Sequence, residues 1–409
     1  MTGRYANYII GLLLAASLSA CSRGRVELVP ADSGTRAHQT AVAAVPFATP
    51  IAAGRRAVDS LRARRNYPGL SIAVAVAGQV VWAEATGLAN VAAQVPVTTE
   101  SQFPIGSVSK SLTATVVMRL VESGLIDLDR DVRDYVPRFP PKRYPVTSRQ
   151  LLSHQAGIRH YRIMLSQRGF SESNLNREFP SIDSSLSLFS KGALKFEPDT
   201  RFLYSTFGYT LLSAVIEGAT KTPFLAVMSN HLFGPLGLGA TGADDKNRQH
   251  PARTVDYVAT KTAGKFRVAP ETNSSYKWAG GGILSTPTDL VRFGSALVGG
   301  QLLSDQTRAA MFTARPLRDG TMNPQHYALG WRVGWVRNPA DTASRVNVVH
   351  HGGTAVGSET ALFLVPDLRI AIAIAGNANT GGSDAMIQAA ATIARAFVAA
   401  LTRGEGVIP

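Results

Sequence analysis

The spacing of apolar and polar positions predicts a helix and a hairpin in the first part of the chain. Gly54 to Arg65 has helical spacing, whereas Leu70 to Val76 and Val80 to Ala85 are rich in β-branched and small apolar residues. Ala77-Gly78-Gln79 separates these two runs and is typical of a hairpin turn. The pattern therefore predicts one helix followed by two antiparallel strands.

The last part of the chain shows the same kind of strand pattern and ends in a helix. Arg345 to Val349, Thr360 to Val365 and Arg369 to Ala375 are strand-like runs. Ser383-Asp384 then caps a predicted final helix that ends near Arg403. Strands are therefore expected close to both ends of the chain.

Between these two sets of strands the pattern is mostly helical, over roughly residues 111 to 275. Strands at both ends with helices between them predict an α/β (α+β) fold, in which one antiparallel sheet is built from both chain ends and flanked by helices. The helical segment would form a lobe inserted into this sheet domain. The cleft between sheet and lobe is then the expected place for a functional site.

The N-terminal segment has the pattern of a bacterial lipoprotein signal. Arg4 precedes an apolar run from Ile9 to Leu18, and Leu18-Ser19-Ala20-Cys21 follows. The run is too short to span a bilayer, and small residues before the cysteine suit cleavage by a signal peptidase. Cys21 is the only cysteine, which fits lipidation, and an ordinary secretory signal with an incidental cysteine is the alternative.

These patterns predict three segments. They are a lipoprotein signal peptide at residues 1–20, a flexible tether at residues 21–50 that is rich in Ala, Ser, Thr and Pro, and a folded domain at residues 51–405. A lipid on Cys21 would anchor the protein in the bacterial cell envelope, facing the periplasm. Ser22 after the cysteine favours the outer membrane.

Composition supports a folded domain and argues against a nucleic-acid partner. Apolar residues are 45% and charged residues 17% of the chain, which is ordinary for a globular enzyme and unlike a disordered protein. The net charge of +14 comes mainly from arginines scattered along the chain. Such a dispersed basic surface suits anionic lipid headgroups or cell-wall polymer at a membrane.

A serine and a lysine stand three residues apart at the start of a predicted helix. Ser107 and Lys110 directly precede a run with helical spacing from Leu112 to Val121. They share one face of the first turn, where a neutral amine can take the proton of the hydroxyl. The helix N-terminus favours the resulting alkoxide. Ser109 is the competing hydroxyl, but the spacing to Lys110 selects Ser107 as nucleophile.

Ser-x-x-Lys alone is common by chance, but six motifs stand in order along the chain. They are Pro68-Gly69-Leu70-Ser71-Ile72-Ala73-Val74, Phe103-Pro104-Ile105-Gly106-Ser107-Val108-Ser109-Lys110, Leu151-Leu152-Ser153-His154-Gln155-Ala156-Gly157-Ile158, Tyr204-Ser205-Thr206-Phe207-Gly208-Tyr209, Gly280-Gly281-Gly282-Ile283-Leu284-Ser285-Thr286 and His351-Gly352-Gly353-Thr354. With these motifs the chain resembles the class C serine β-lactamases, the D-Ala-D-Ala carboxypeptidases among the penicillin-binding proteins, and related esterases and lactamase-like serine proteases. The resemblance covers most of residues 66 to 377.

The resemblance implies a β-lactamase/transpeptidase-like fold and a second proton-transfer group, Tyr204. A phenolate there would accept the serine proton and later protonate the leaving group. The backbone N–H groups of Ser107 and Thr354 would form the oxyanion hole. Thr206 would belong to the substrate-binding site.

The resemblance also assigns roles to the strand that carries His351-Gly352-Gly353. His351 would orient the substrate or assist proton transfer, and Gly352 and Gly353 would let a substrate backbone lie flat against the strand edge. Strand alternation turns the neighbouring His350 to the opposite face. His154 is expected to stabilise the lobe.

No cofactor or metal is expected from the sequence. The chain contains no histidine cluster with metal-ligand spacing, and Gly280-Gly281-Gly282 lacks the lysine of a phosphate-binding loop.

Two departures from the family pattern bear on the substrate. Thr206 replaces an asparagine that binds a substrate acylamide, and His351 replaces a lysine that pairs with a substrate carboxylate. They favour a serine peptidase, carboxypeptidase or esterase that acts through an acyl-enzyme on a small molecule or peptide, peptidoglycan-derived peptides being one candidate. A true class C-like β-lactamase and a catalytically inert cell-wall-binding module are the alternatives.

Overall fold

The computed structural model describes residues 29–30, 38–164, 170–339 and 341–405. The predicted signal peptide, Cys21 and the first part of the predicted tether lie outside these residues.

The strands and helices are numbered in chain order. The strands are β1 Val29–Pro30, β2 Gln39–Ala43, β3 Gly69–Val76, β4 Gln79–Asn90, β5 Val95–Pro96, β6 Phe103–Pro104, β7 Ile163–Met164, β8 Phe170–Ser171, β9 Gly242–Ala243, β10 Tyr257–Ala259, β11 Lys265–Val268, β12 Ile283–Ser285, β13 Arg332–Asn338, β14 Asp341–Thr354, β15 Glu359–Val365, β16 Ile370–Gly376 and β17 Ala378–Asn379. The α-helices are α1 Ala48–Arg65, α2 Ser109–Glu122, α3 Ser148–Leu152, α4 Ile182–Leu186, α5 Thr206–Thr220, α6 Phe224–Met228, α7 Trp278–Gly281, α8 Pro287–Val298, α9 Asp305–Met311 and α10 Asp384–Thr402.

The main sheet joins the two ends of the chain, as the strand pattern predicts. Its order is β13-β14-β15-β16-β3-β4-β2, with β5 added beside β4, and the pairings are antiparallel. Every residue of β3, β15 and β16 is buried. These central strands are therefore mainly apolar, because helices cover both of their faces.

Helices α1 and α10 pack together over one face of the sheet. Phe47, just before α1, stacks on Phe397 of α10 with ring centroids 5.6 Å apart. A Cβ on Gly54 would lie 2.5 Å from the ring of Trp82, so glycine allows α1 to approach β4 closely. Helix α10 is long and apolar enough to cross a membrane, but its apolar side chains, such as Ile393 and Phe397, are fully buried against the sheet.

Helix α8 and the helical lobe cover the other face. A Cβ on Gly294 would lie 2.6 Å from Leu364, which shows how closely α8 approaches the sheet. The lobe itself contains α2 to α6, whose buried side chains form one core with α8. The predicted lobe of about residues 111–275 is not helical throughout, however, because β10 and β11 belong to a separate small sheet with β1 and β17.

The predicted boundary between tether and folded domain, at residue 50, is wrong. Strand β2 already pairs with β4, and α1 begins at Ala48. The reason is the buried carboxylate of Glu84, which accepts a hydrogen bond of 2.8 Å from Thr40 and lies 2.6 Å from the His38 ring. Arg55 of α1 also donates to Glu84, at 2.7 Å, so this carboxylate joins β2 and α1 to β4.

Candidate active site

A tight turn brings Ser107 to the mouth of the cleft. Gly106 has φ +50°, and a Cβ there would lie 2.7 Å from the backbone nitrogen of Thr354. Glycine therefore permits both the backbone conformation and the close approach of β14. A single 3₁₀ turn, Gly106–Val108, leads directly into α2 and leaves Ser107 lining the cleft.

Lys110 and the three groups around its amine form the base of the cleft. Its Nζ is 3.0 Å from Ser107 Oγ, 3.1 Å from Thr206 Oγ1 and 2.5 Å from the carbonyl oxygen of Gly280. Burial lowers the pKa of Lys110 well below its usual value, and the positive charges of Arg332 and Lys277 lower it further. A neutral amine fits this setting, because it can donate to Gly280 and Thr206 and accept the Ser107 proton.

Tyr204 lines the cleft with Ser107 and lies beside the amine of Lys110. The Nζ atom of Lys110 is 4.8 Å from the centroid of its ring. Burial raises the pKa of Tyr204 to about 12, although the Arg332 charge and the nearby Ser107 side chain oppose this shift. A pKa in this range keeps the phenol protonated at neutral pH, which favours the second of the two roles that the resemblance implies, protonation of the leaving group.

Thr206 begins helix α5 and holds its hydroxyl against the amine of Lys110. Ser205 caps the helix, since its side chain accepts the N–H of Gly208. A Cβ on Gly280 would lie 2.6 Å from Thr206 Cγ2, so the glycine lets α7 pack directly on the start of α5. The contact places Thr206 in the cleft, as predicted, and occupies its oxygen with a protein partner.

The end of strand β14 forms the opposite wall of the cleft, with Gly352 and Thr354 lining it. A Cβ on Gly353 would lie 3.2 Å from the backbone nitrogen of Ser107 and 1.9 Å from the carbonyl oxygen of Ile105. The backbone N–H groups of Ser107 and Thr354 are thus adjacent, as an oxyanion hole requires.

The two glycines also make room for neighbouring segments of the protein. A Cβ on Gly352 would lie 2.3 Å from Ser383 Oγ, at the start of α10. Gly353 faces the backbone of Ile105, as its short contact shows. The glycines therefore make room for two neighbouring segments of the protein, and their function is not confined to a substrate backbone.

The resemblance assigns His351 to orienting the substrate or assisting proton transfer, but in this geometry its side chain does not line the cleft. Its side chain is fully buried, with Nδ1 2.7 Å from the carbonyl oxygen of Gly352 and Nε2 2.9 Å from the hydroxyl of Tyr327. A carbonyl only accepts, so Nδ1 carries the proton and Nε2 accepts from Tyr327. Burial, and to a smaller extent the charge of Arg332, hold the pKa of His351 well below its usual value. His351 is a neutral residue behind the cleft wall.

The neighbouring candidates take structural positions. Ser109 is fully buried and donates to the carbonyl oxygen of Gly106 at 2.7 Å. His154 accepts the N–H of Ser205 at 3.1 Å and packs against Tyr204, with ring centroids 4.2 Å apart. His350 lies on the face opposite His351, as alternation predicts, and its ring lines an extension of the cleft toward α10.

Sequence reasoning missed two cations that line the cleft. Arg332, on β13, places its guanidinium carbon 5.5 Å from the centroid of the Tyr204 ring. Lys277, directly before α7, donates to the carbonyl oxygen of Ser173 at 2.7 Å. The position of Lys277 next to the Gly280 motif was the one available signal. The cleft encloses about 810 Å³, a volume that suits a small molecule or the end of a peptide.

No three His, Asp or Glu side chains within the described ranges are grouped so that they could hold a metal ion.

The fold and this arrangement of serine, lysine and tyrosine define a serine hydrolase of the β-lactamase and penicillin-binding-protein type. The chain belongs to the Beta-lactamase family, whose model matches residues 55–396.

The chain is similar to proteins of this family over most of its length. It is 30% identical over 400 residues to the human serine beta-lactamase-like protein LACTB, mitochondrial, covering 78% of this chain and 73% of that one. It is 29% identical over 345 residues to penicillin-binding protein 4 of Amycolatopsis lactamdurans, covering 80% and 84%. Among solved structures, SurE matches with a TM-score of 0.65 and 27% identity, covering 87% of this chain and 76% of that one.

Proposed function

We propose that this enzyme hydrolyses amide or ester bonds through an acyl-enzyme on Ser107. The observation that carries the proposal is the fully buried amine of Lys110, 3.0 Å from the serine hydroxyl. Within the described part of the chain, the charges that shift the pKa of this amine are both positive, those of Arg332 and Lys277. The amine is therefore uncharged and available as a base at neutral pH.

The groups of the cleft suffice for both halves of the reaction. Lys110 takes the Ser107 proton as Oγ forms a bond to the substrate carbonyl carbon, and the N–H groups of Ser107 and Thr354 stabilise the oxyanion. Tyr204 protonates the leaving amine or alcohol as its bond to carbon breaks, and regains a proton from Lys110. Water then attacks the acyl carbon and gives a proton to Lys110. The bond from the acyl carbon to Ser107 Oγ breaks, and Lys110 returns this proton to Oγ.

The cleft supports an esterase or peptidase more strongly than a dedicated β-lactamase. Thr206 has no amide group for a substrate acylamide, and its hydroxyl is engaged by Lys110. His351 is buried and neutral, so it offers no charge to a substrate carboxylate. A buried polar substrate group without a partner costs binding on the order of 1–3 kcal/mol.

A class C-like β-lactamase remains the second candidate because of Arg332. Its guanidinium lines the cleft beside Tyr204 and can pair with a carboxylate in place of the family lysine. An inert cell-wall-binding module has no such support, because all the proton-transfer groups are assembled.

Covalent labelling tests the nucleophile. The purified protein is treated with penicillin and, separately, with a p-nitrophenyl ester, and the adduct is located by mass spectrometry. We expect it on Ser107, lost in Ser107→Ala and retained in Ser109→Ala. An adduct on Ser109, or turnover by Ser107→Ala, would refute the mechanism. Comparing kcat/KM for nitrocefin, the ester and a D-Ala-D-Ala peptide then ranks the substrate classes, with nitrocefin expected to be the poorest.

We further propose that residues 1–20 are a lipoprotein signal, that Cys21 carries the lipid and that the domain faces the periplasm, with peptidoglycan-derived peptides as candidate substrates. The support is the apolar run before Leu18-Ser19-Ala20-Cys21 and the single cysteine of the chain. A fatty-acid analogue should label the wild type and not Cys21→Ala. The labelled protein should be found in the membrane fraction. Unlabelled protein with a free Cys21 thiol would contradict the anchor.

A further inference from the structure

Lys277 is a second buried lysine in the cleft, and the mechanism above does not use it. Its side chain is 7% exposed and lines the cleft with Ser107. The Nζ atom donates to the carbonyl oxygen of Ser173 and lies 5.2 Å from the centroid of the Tyr276 ring. An ammonium group has three donors, so two remain to bind a ligand that enters the cleft.

No carboxylate neutralises this ammonium within the described part of the chain. Asp244 is the one acid that raises the pKa of Lys277, and its carboxylate is already held by Arg253 at 3.0 Å. Burial lowers the pKa of Lys277 to about 8, so the amine is charged at neutral pH. A buried cation with no ion-pair partner is costly unless a bound anion completes its environment.

The position of Lys277 relative to the reacting groups indicates which part of the substrate it meets. Arg332 lies over Tyr204, the group placed to protonate the leaving group, and so belongs to the leaving-group side. Lys277 begins the turn that contains Gly280, and Gly280 packs against Thr206 at the start of α5. The Lys277 side chain contacts the lobe at Ser173, whereas Arg332 lies on sheet strand β13, and on this basis we assign Lys277 to the acyl side of the scissile bond.

We propose that Lys277 binds a carboxylate on the acyl part of the substrate, so that the enzyme prefers acyl groups carrying a negative charge near the scissile carbonyl. An acidic residue on the N-terminal side of a peptide bond, or the half-ester of a dicarboxylic acid, is the substrate class this implies. The inference rests on the proposed acyl-enzyme function of Ser107.

The test compares two substrates that differ only in charge. The p-nitrophenyl esters of N-acetyl-glutamate and N-acetyl-glutamine, activated at the α-carboxyl group, are assayed as both enantiomers. We expect kcat/KM for the glutamate ester to exceed that for the glutamine ester by about tenfold, the effect of one charge-assisted hydrogen bond. This preference should disappear in Lys277→Met and persist in Lys277→Arg. Lys265→Met removes an exposed charge outside the cleft and should keep the preference.

The outcomes separate this inference from the proposed function. Equal kcat/KM for the two esters on the wild type, or a preference that survives in Lys277→Met, overturns the assignment of Lys277. The assignment is also overturned if Arg332→Met loses the preference for the glutamate ester while Lys277→Met keeps it. Turnover of both esters by Ser107→Ala would instead refute the acyl-enzyme. If Lys277→Met does not fold, Lys277→Gln, which can still donate to Ser173, replaces it.

Discussion

The base of the cleft and its lobe-side wall each hold a buried lysine, and the two lysines differ in what surrounds them. Lys110 has three polar partners and two neighbouring cations, and burial together with these charges lowers the pKa of its amine well below the usual value. Lys277 has one hydrogen-bond partner and the charge of Asp244 nearby, so the pKa falls only to about 8. The comparison teaches that burial alone does not decide the function of a lysine. Neighbouring charges determine whether it is a base or an anion-binding group.

The largest expected effect follows from removing the amine at the base of the cleft. Lys110→Met should lower kcat/KM for a neutral ester by about 10²–10⁴-fold, the usual contribution of a general base. Lys110→Arg should fail to restore activity, because a guanidinium keeps its proton. Steady-state kinetics of the Lys110 variants and of Lys277→Met measure the difference. On the same neutral ester, Lys277→Met should lose much less of its kcat/KM. Substantial activity in Lys110→Arg would break the distinction between the two lysines.

A smaller effect is expected from Tyr204, and it depends on the leaving group. Tyr204→Phe should lower kcat/KM for a p-nitroanilide by about 10²-fold, and less for the matched p-nitrophenyl ester, because nitrophenolate departs without protonation. Tyr209→Phe is the control, since its buried hydroxyl bonds to the carbonyl oxygen of Leu152 at 3.0 Å. Equal losses on the two substrates in Tyr204→Phe would show that Tyr204 is not the proton donor.

The smallest effect is a change of preference with pH. Lysine is charged only below its pKa, so the preference for the glutamate ester should decline as the pH rises through about 8. The glutamine ester should not show this decline, and its turnover should fall instead on the acid side, where Lys110 becomes protonated. Lys277→Arg should retain the preference at pH 9. Parallel pH profiles of kcat/KM test this, and a preference unchanged up to pH 10 in the wild type would contradict it.

The nucleophile and its base were accessible to sequence analysis because their geometry is local. Ser107 and Lys110 are three residues apart on one helical turn, and that spacing alone brings them together. The central strands were accessible for a similar reason, since β3 and β16 are short, mainly apolar runs. The joining of the two chain ends in one sheet followed from the strand order.

The residues that were misjudged depend on distant partners. The His351 ring forms a hydrogen bond with Tyr327, on a different segment, and lies outside the cleft. Alternation along β14 could not predict this position. Arg332 lies on the edge strand β13, whose half-exposed residues lack an apolar pattern. Lys277 owes its setting to Ser173, about a hundred residues earlier in the chain. The folded start at β2 likewise depends on the buried Glu84.

The sheet that joins both chain ends also constrains how the protein is made. Ile72 of β3 pairs with Ile374 of β16, so the central ladder cannot close until nearly the whole chain has left the ribosome. Until then β3 is an apolar strand with an unpaired edge, which invites aggregation. Such delayed closure suits passage through a membrane as an unfolded chain. It also means that truncation before β15 should yield an insoluble product, even though Ser107, Lys110 and Tyr204 would all be present.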